Sequence, residues 1–382
     1  MTRYHFKTVG NLCIGPGASR DLVQLCVGLG IKKPLIVTDP GVFSIGVLNT
    51  ILESFSEAFG SIALFSDVSA DPTETVVMNA FELSRSEQAD GVIGIGGGSS
   101  MDVAKTVAVL SVGSQSLPDL YGVDQARGGR LPLILVPTTA GTGSEVTPIA
   151  VITTGKTTKA GISSSLLIPD IALLDAELTL GLPPTVTAMT GIDAMVHAIE
   201  AYTSRHRKNA ISDMLAKSAL ELLAFNQRQV LKNPGDIEAR ESMLLGACLA
   251  GQAFANAPVA AVHALAYPLG GRYHIPHGLS NALMLPAVLR FNARVVEREY
   301  LELAQCLPDS IELSVEGFVG WFEELIVDSS LPPNLAQAGV DKGDLRTLAA
   351  DAMKQQRLLV NNPVPVTEKD ALDLYHLAWG PP

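Results

Sequence analysis

Gly91-Val-Ile-Gly-Ile-Gly-Gly-Gly-Ser-Ser-Met-Asp-Val-Ala-Lys105 passes from an apolar, β-type run through a cluster of glycines into a helical pattern. Glycine lets the backbone approach a ligand closely, and a helix start offers free N–H groups and a dipole that favours a phosphate. Ser99 followed by Asp102 also has the look of a capping box. The spacing departs from G-x-G-x-x-G, because the last position is Ser99. Taken alone, the stretch also reads as a tight strand-to-helix turn with a capped helix.

The same alternation continues on both sides of it. Pro34-Leu-Ile-Val-Thr-Asp39, Ser61-Ile-Ala-Leu-Phe-Ser66, Leu131-Pro-Leu-Ile-Leu-Val136 and Ile171-Ala-Leu-Leu-Asp175 are further compact apolar runs. Helix-length segments lie between them, as at 73–88 and 99–110. Continuous apolar strands separated by helices predict a parallel sheet covered on both faces. Residues 151–162 break the alternation with a hairpin pattern around Gly155. Beyond about residue 178 the periodicity turns helical, over 215–225, 237–254, 279–290, 315–326 and 345–353. The prediction is an α/β nucleotide-binding domain over 1–178 and an all-α domain over 179–382, with function expected in the cleft between them.

Composition agrees with two well-buried domains. The chain has 382 residues, 47% hydrophobic and 17% charged, too long for one small core and too apolar for disorder. A net charge of -12 argues against a nucleic-acid partner, since nothing would neutralise phosphates. Mean hydropathy is +0.28, which raises the question of a membrane. The most apolar stretch, about residues 243–271, contains Gln252, Asn256, Pro258 and His263 and reads as buried helices. The start, interrupted by His5, Lys7 and Asn11, reads as no secretory signal. Cys13, Cys26, Cys248 and Cys306 show no paired spacing, which predicts reduced thiols and a cytoplasmic protein.

Two groups of residues carry chemistry. Asp39 closes a strand; a carboxylate there can bind the hydroxyls of an adenosine ribose and repel a 2′-phosphate, or cap a helix at Pro40-Gly41. Pro137-Thr-Thr-Ala-Gly-Thr-Gly-Ser-Glu145 follows another strand, and its hydroxyls and glycines suit phosphate or ribose, or form only a polar loop. Strand-end loops gathered at one sheet edge are where open α/β sheets bind ligands.

In the helical half, Asp193 and His197 stand four apart in Gly191-Ile-Asp-Ala-Met-Val-His-Ala-Ile-Glu200, on one helix face. His263 and His277 bracket Val262-His-Ala-Leu-Ala-Tyr-Pro-Leu-Gly-Gly-Arg-Tyr-His-Ile-Pro-His-Gly278. Singly, each reads as a core histidine or a carboxylate stabilised by a helix dipole. As a set they can hold one divalent cation of the zinc or ferrous type, because a carboxylate buried among apolar neighbours needs a compensating charge. One carboxylate and three neutral imidazoles leave a net charge of about +1 and an open position, which suits a Lewis acid.

Together these segments resemble the iron-containing (group III) alcohol dehydrogenases over essentially the whole chain. Residues 96–105 are similar to the family's nucleotide motif, 137–147 to its second loop, and 191–200 and 263–278 to its metal motifs. The resemblance implies a Rossmann-like N-terminal domain, an all-α C-terminal domain (the dehydroquinate synthase-like architecture), NAD(P) and ferrous iron. It implies metal-ligand roles for Asp193, His197, His263 and His277, and an Asp39 that favours NAD over NADP. It implies pyrophosphate contacts at Gly97, Gly98 and Ser99. It places Thr138, Thr139, Thr147 and Lys159 near the phosphates and nicotinamide riboside. The ligand set by itself accepts zinc as well as iron.

One position departs from the family pattern: Tyr267 stands where many members carry a further histidine, four residues after the third ligand. It keeps the helix face of His263 and is a candidate for relaying the catalytic proton. His274 is the other candidate, or a surface histidine. The expected function is metal-dependent, NAD-linked oxidation of a small alcohol or reduction of an aldehyde by a homo-oligomer, with no membrane or nucleic-acid partner. Open alternatives are a maleylacetate reductase, a glycerol dehydrogenase or a hydroxyacid–oxoacid transhydrogenase; more distant ones are a dehydroquinate-synthase-type lyase and a non-catalytic assembly subunit. The lyase would need a cluster of Lys and Arg, and Arg272 is the main cation of the metal-bearing segments.

Overall fold

Continuous apolar runs place alternate side chains on opposite faces of a strand, and that builds the first half of the chain. The strands are β1 (Asn11–Ile14), β2 (Pro34–Val37), β3 (Ala63–Phe65), β4 (Gly91–Gly96), β5 (Gly122–Val123), β6 (Leu133–Pro137), β7 (Ile149–Thr154), β8 (Thr158–Ser163) and β9 (Ile171–Leu174). The helices among them are α1 (Leu22–Gly28), α2 (Pro40–Ser44), α3 (Asn49–Phe59), α4 (Glu74–Ser86), α5 (Gly98–Leu110) and α6 (Leu117–Leu120). The structure, a computed structural model, describes residues 3–155, 158–308 and 311–380. It divides into two compact units, Thr8–Gly181 and Leu182–Pro382, the second including Met1–Lys7.

The main sheet has the order β1-β9-β6-β4-β2-β3, parallel throughout. In β2, Leu35 and Val37 join a core with Val77 of α4 and Met101 and Ala104 of α5, while Ile36 faces a second core with Leu22, Ile51 and Phe55. Both faces are therefore covered, as continuous rather than alternating hydrophobicity requires. The chain runs outward from β2 to β3 and then crosses back to β4, so the order reverses between β2 and β4, where open sheets bind ligands. The hairpin pattern at 151–162 becomes antiparallel β7–β8, with β5 added to make a separate sheet; Lys156 and Thr157 lie outside the described residues. β1 is absent from the sequence reading because it is a half-exposed edge strand with no compact apolar run.

The second unit is helical: α7 (Pro184–Thr203), α8 (Ala210–Lys232), α9 (Ile237–Asn256), α10 (Ala261–Tyr273), α11 (His277–Ala304), α12 (Val315–Asp328), α13 (Leu345–Ala352), α14 (Gln356–Leu359) and α15 (Glu368–Trp379). From Gly191 to Thr203 every residue of α7 is buried, because α8, α9 and α11 pack around it. A helix apolar on all sides belongs at the centre of a bundle. Among the described residues no single helix is long and apolar enough to cross a membrane; α9 and α10 pass that test only as a pair, bent by 106°.

Candidate functional site

Three helices of the second unit bring four side chains together. α7 supplies Asp193 and His197 from one face, α10 supplies His263 from its first turn, and α11 begins at His277. One ligand atom from each lies within 4.8 Å of every other. Asp193 Oδ1 is 3.9 Å from His263 Nε2 and 3.7 Å from His277 Nε2. Bonds of about 2.0–2.2 Å to one cation put neighbouring donor atoms roughly 3–4 Å apart, so the spacing suits a shared ion. Gly278 makes the approach possible, since a Cβ there would stand 2.4 Å from the carbonyl oxygen of Met189. Met189 lies one turn before Asp193, so the contact that excludes a side chain at 278 also delivers His277 to the carboxylate.

Glu200 is a site residue that the sequence reading does not single out. Its signal is the i, i+4, i+7 spacing with Asp193 and His197 along one face of α7. Its buried carboxylate accepts the N–H groups of Ala260 (2.9 Å) and Val262 (2.6 Å), donors left over at the start of α10. It also takes His263 Nδ1 at 2.6 Å. An ionised carboxylate only accepts, so Nδ1 carries the proton and Nε2 presents a lone pair. Nε2 is buried with no hydrogen-bond partner among the described residues. Such an orphan costs about 1–3 kcal/mol, which a cation at that atom would remove. The donor set and this orphaned nitrogen both fit a metal.

Asp193 is 2% exposed. Burial pushes its carboxyl up, but His197, His277 and His263 and a hydrogen bond from Asn281 (2.5 Å) outweigh burial and hold it below its ordinary value. Asn281, one turn after His277 on α11, is a second residue the sequence reading leaves out. His197 stacks on Phe254 with ring centroids 4.4 Å apart. The His277 side chain is 34% exposed against 3% for Asp193 and His263, so the cluster opens on its side. Tyr267 places its ring 5.9 Å from that of His277. His274 goes elsewhere: it ends α10 as an exposed cap at φ 54°, and among the described residues no hydrogen bond, ion pair or ring contact joins it to the four.

In the first unit, β2, β4 and β6 lie side by side and parallel, so their C-terminal ends share one edge. Asp39 forms the helix cap that the sequence allows, and its second oxygen stays on the strand-end side. Oδ1 caps α2 by accepting from Val42 N (3.0 Å), and Oδ2 accepts from Ser100 Oγ (3.1 Å) across the edge. Gly96, at φ 155°, lets these groups meet, since a Cβ would stand 2.6 Å from Ser100 Oγ. Gly97 is the N-cap of α5, and Gly98 and Ser99 form its first turn with N–H groups pointing out of the helix start. The expected Ser99–Asp102 capping box does not form; Asp102 instead accepts from Ser144 Oγ and Val151 N. Thr138 N donates to Gly96 O (3.0 Å), and Thr139 lies over Gly97. Thr147 is buried and accepts from Lys105 (3.2 Å). Lys159 on β8 is held by Asp71 at 2.5 Å; among the described residues no hydrogen bond or ion pair ties it to the glycine turn.

Two family models match the chain: iron-containing alcohol dehydrogenase over residues 10–176, and the C-terminal part of the Fe-containing alcohol dehydrogenase family over residues 187–379. Long-chain-alcohol dehydrogenase 1 of Geobacillus thermodenitrificans is 39% identical over 374 residues, covering 96% of this chain and 94% of its own length. The crystal structure of a 1,3-propanediol oxidoreductase superposes with a TM-score of 0.94 at 32% identity, over 99% of this chain and 100% of that one. Sulfoacetaldehyde reductase from Bifidobacterium kashiwanohense, solved in complex with NAD+, superposes with a TM-score of 0.89 at 28% identity over 99% of both chains.

Proposed function

The chain belongs to the iron-containing alcohol dehydrogenase family, and from that premise we propose that it is an NAD-linked oxidoreductase for small alcohols and aldehydes. The observation that carries the reading is the convergence of Asp193, His197, His263 and His277 within 4.8 Å. These four would hold ferrous iron, which when bound supplies a Lewis acid that draws charge from a substrate oxygen. NAD supplies the hydride acceptor: an alcohol and NAD+ become an aldehyde or ketone, NADH and a proton.

The rest falls to the chain's own residues. Asp193 contributes the negative charge of the ligand set, and Glu200 keeps His263 protonated at Nδ1 with its ring fixed. The first-turn N–H groups at Gly97, Gly98 and Ser99 bind the pyrophosphate, and the hydroxyls of Thr138 and Thr139 flank it. Thr147 backs that loop, and Lys159 would offer a cation to the riboside side of the dinucleotide on leaving Asp71. Asp39 accepts from the adenosine ribose hydroxyls and repels a 2′-phosphate, which favours NAD over NADP. Tyr267, beside His277 on the open side, relays a hydrogen bond outward. A tyrosine hydroxyl can donate one hydrogen bond and accept another, which suits a relay. His274, exposed at the end of α10, is given no step. The free cysteines support a cytoplasmic location; self-association rests on family membership alone.

The test is elemental analysis of anaerobically purified protein followed by NADH oxidation with a panel of aldehydes. Bound iron and aldehyde-dependent loss of NADH absorbance are expected. His263→Ala should remove both and leave the circular dichroism of the fold in place. Full turnover by metal-free protein would overturn the reading.

A further inference from the structure

Lys105 is a fully buried ammonium that the proposed chemistry leaves unused. It sits on α5, two turns after the glycine cluster. Its Nζ donates to Ser144 Oγ (2.7 Å), Thr147 Oγ1 (3.2 Å) and Ile149 O (2.8 Å), so every donor goes to the segment that follows β6. Asp102, one turn earlier, accepts from Ser144 Oγ (2.7 Å) and Val151 N (2.8 Å) and stands 3.7 Å from the ammonium. Residues 144–151 are thus fastened to α5 by Lys105 and Asp102, with one shared hydroxyl between them.

The other end of the same loop rests on the glycine cluster. Thr138 N is bonded to Gly96 O, and Thr142 fills the space beside Gly98, where a Cβ would meet it at 2.8 Å. Ser144 N donates back to Thr142 Oγ1 (3.3 Å). The loop therefore has two anchorages, one at the strand end and one at Lys105. Burying a charge is costly unless it is paired. Burial pulls Lys105 down to about 8, while Asp102 and Glu145 favour its charged form. A methionine of similar length would fill the space, but it could not hold three oxygens at once and would leave Asp102 without its counter-charge.

We infer that Lys105 and Asp102 are positioning residues for the dinucleotide: they set loop 138–147 against the first turn of α5, so that loop hydroxyls and helix N–H groups converge on one pyrophosphate. This rests on the NAD reading above. The test is Lys105→Met in the iron-loaded enzyme, with NADH affinity read by fluorescence titration and with steady-state kinetics. We expect the Kd and KM for NADH to rise by about tenfold or more, the size expected for lost hydrogen bonds to a charged group. The aldehyde KM, iron content and kcat at saturating NADH should stay near wild type. General structural damage would instead lower kcat and iron content together. Ser144→Ala, which removes the shared hydroxyl and leaves Lys105 facing Asp102, should weaken NADH binding in the same sense by a smaller factor, and it decides the matter if Lys105→Met does not fold. Unaltered NADH affinity in the folded variants overturns the inference alone. A wild-type chain that binds no NADH overturns the dinucleotide reading and the inference with it.

Discussion

Glu200 and Asn281 stand beside the proposed ligand set rather than in it, and each fixes one of its members by a hydrogen bond. A carboxylate has acceptor capacity for Ala260 N, Val262 N and His263 Nδ1 together; a glutamine has one oxygen and brings two unwanted donors. Glu200→Gln should therefore loosen the His263 tautomer and ring and weaken metal binding by about 10–100-fold. Competition against a chelator of known affinity measures this without reference to turnover, and an unchanged affinity would show that His263 needs no such support. That these four side chains would meet was legible, because Asp193 and His197 share a helix face and His263 and His277 lie in one distinctive segment. Glu200 and Asn281 were less so. Their partners come from other helices, 60–63 residues away for Glu200 and 88 for Asn281.

Among the elements, the start of α11 is tightly constrained. In an ordinary helix, glycine to alanine stabilises by about 0.5–1 kcal/mol through backbone entropy. At Gly278 the new Cβ would meet the Met189 carbonyl at 2.4 Å, and a backbone oxygen inside α7 cannot swing aside. Overpacking of this kind costs about 1–3 kcal/mol, so the clash wins. Gly278→Ala should lower the melting temperature of metal-free protein, where alanine in a typical helix would raise it. A higher melting temperature would mean that α7 and α11 have room to part. The apolar strands were readable because each carries its own two-faced pattern. β1 was not, since an edge strand shares its burial with its neighbour β9. The helix-start reading of Ser99 and Asp102 failed for a related reason: local spacing offered a capping box, and hydrogen bonds to Ser144 and Val151 from a distant part of the chain took the carboxylate instead.

At the scale of the molecule, the two proposed ligands belong to separate compact units, Thr8–Gly181 for the dinucleotide and Leu182–Pro382 for the metal. Each ligand stabilises the segments it ties by mass action. Chelation should raise hydrogen exchange in α7, α10 and the first turns of α11, whereas NADH should slow exchange in the first turn of α5 and in 138–147. Mass-spectrometric exchange would detect this, and an identical response of both regions to both ligands would argue against separate sites.

What the sequence determined by itself was whatever repeats over a few residues: the strand and helix periods, the glycine cluster that opens α5, the face shared by Asp193 and His197, and motifs specific enough to mark the family. Tertiary structure alone decided which oxygen meets which nitrogen across long gaps, as with Glu200 and His263, Asn281 and Asp193, or Lys105 and Ser144. Periodicity is set by the backbone of each segment. Such pairings are set by burial, because a polar group taken out of water must find its partner wherever packing brings one.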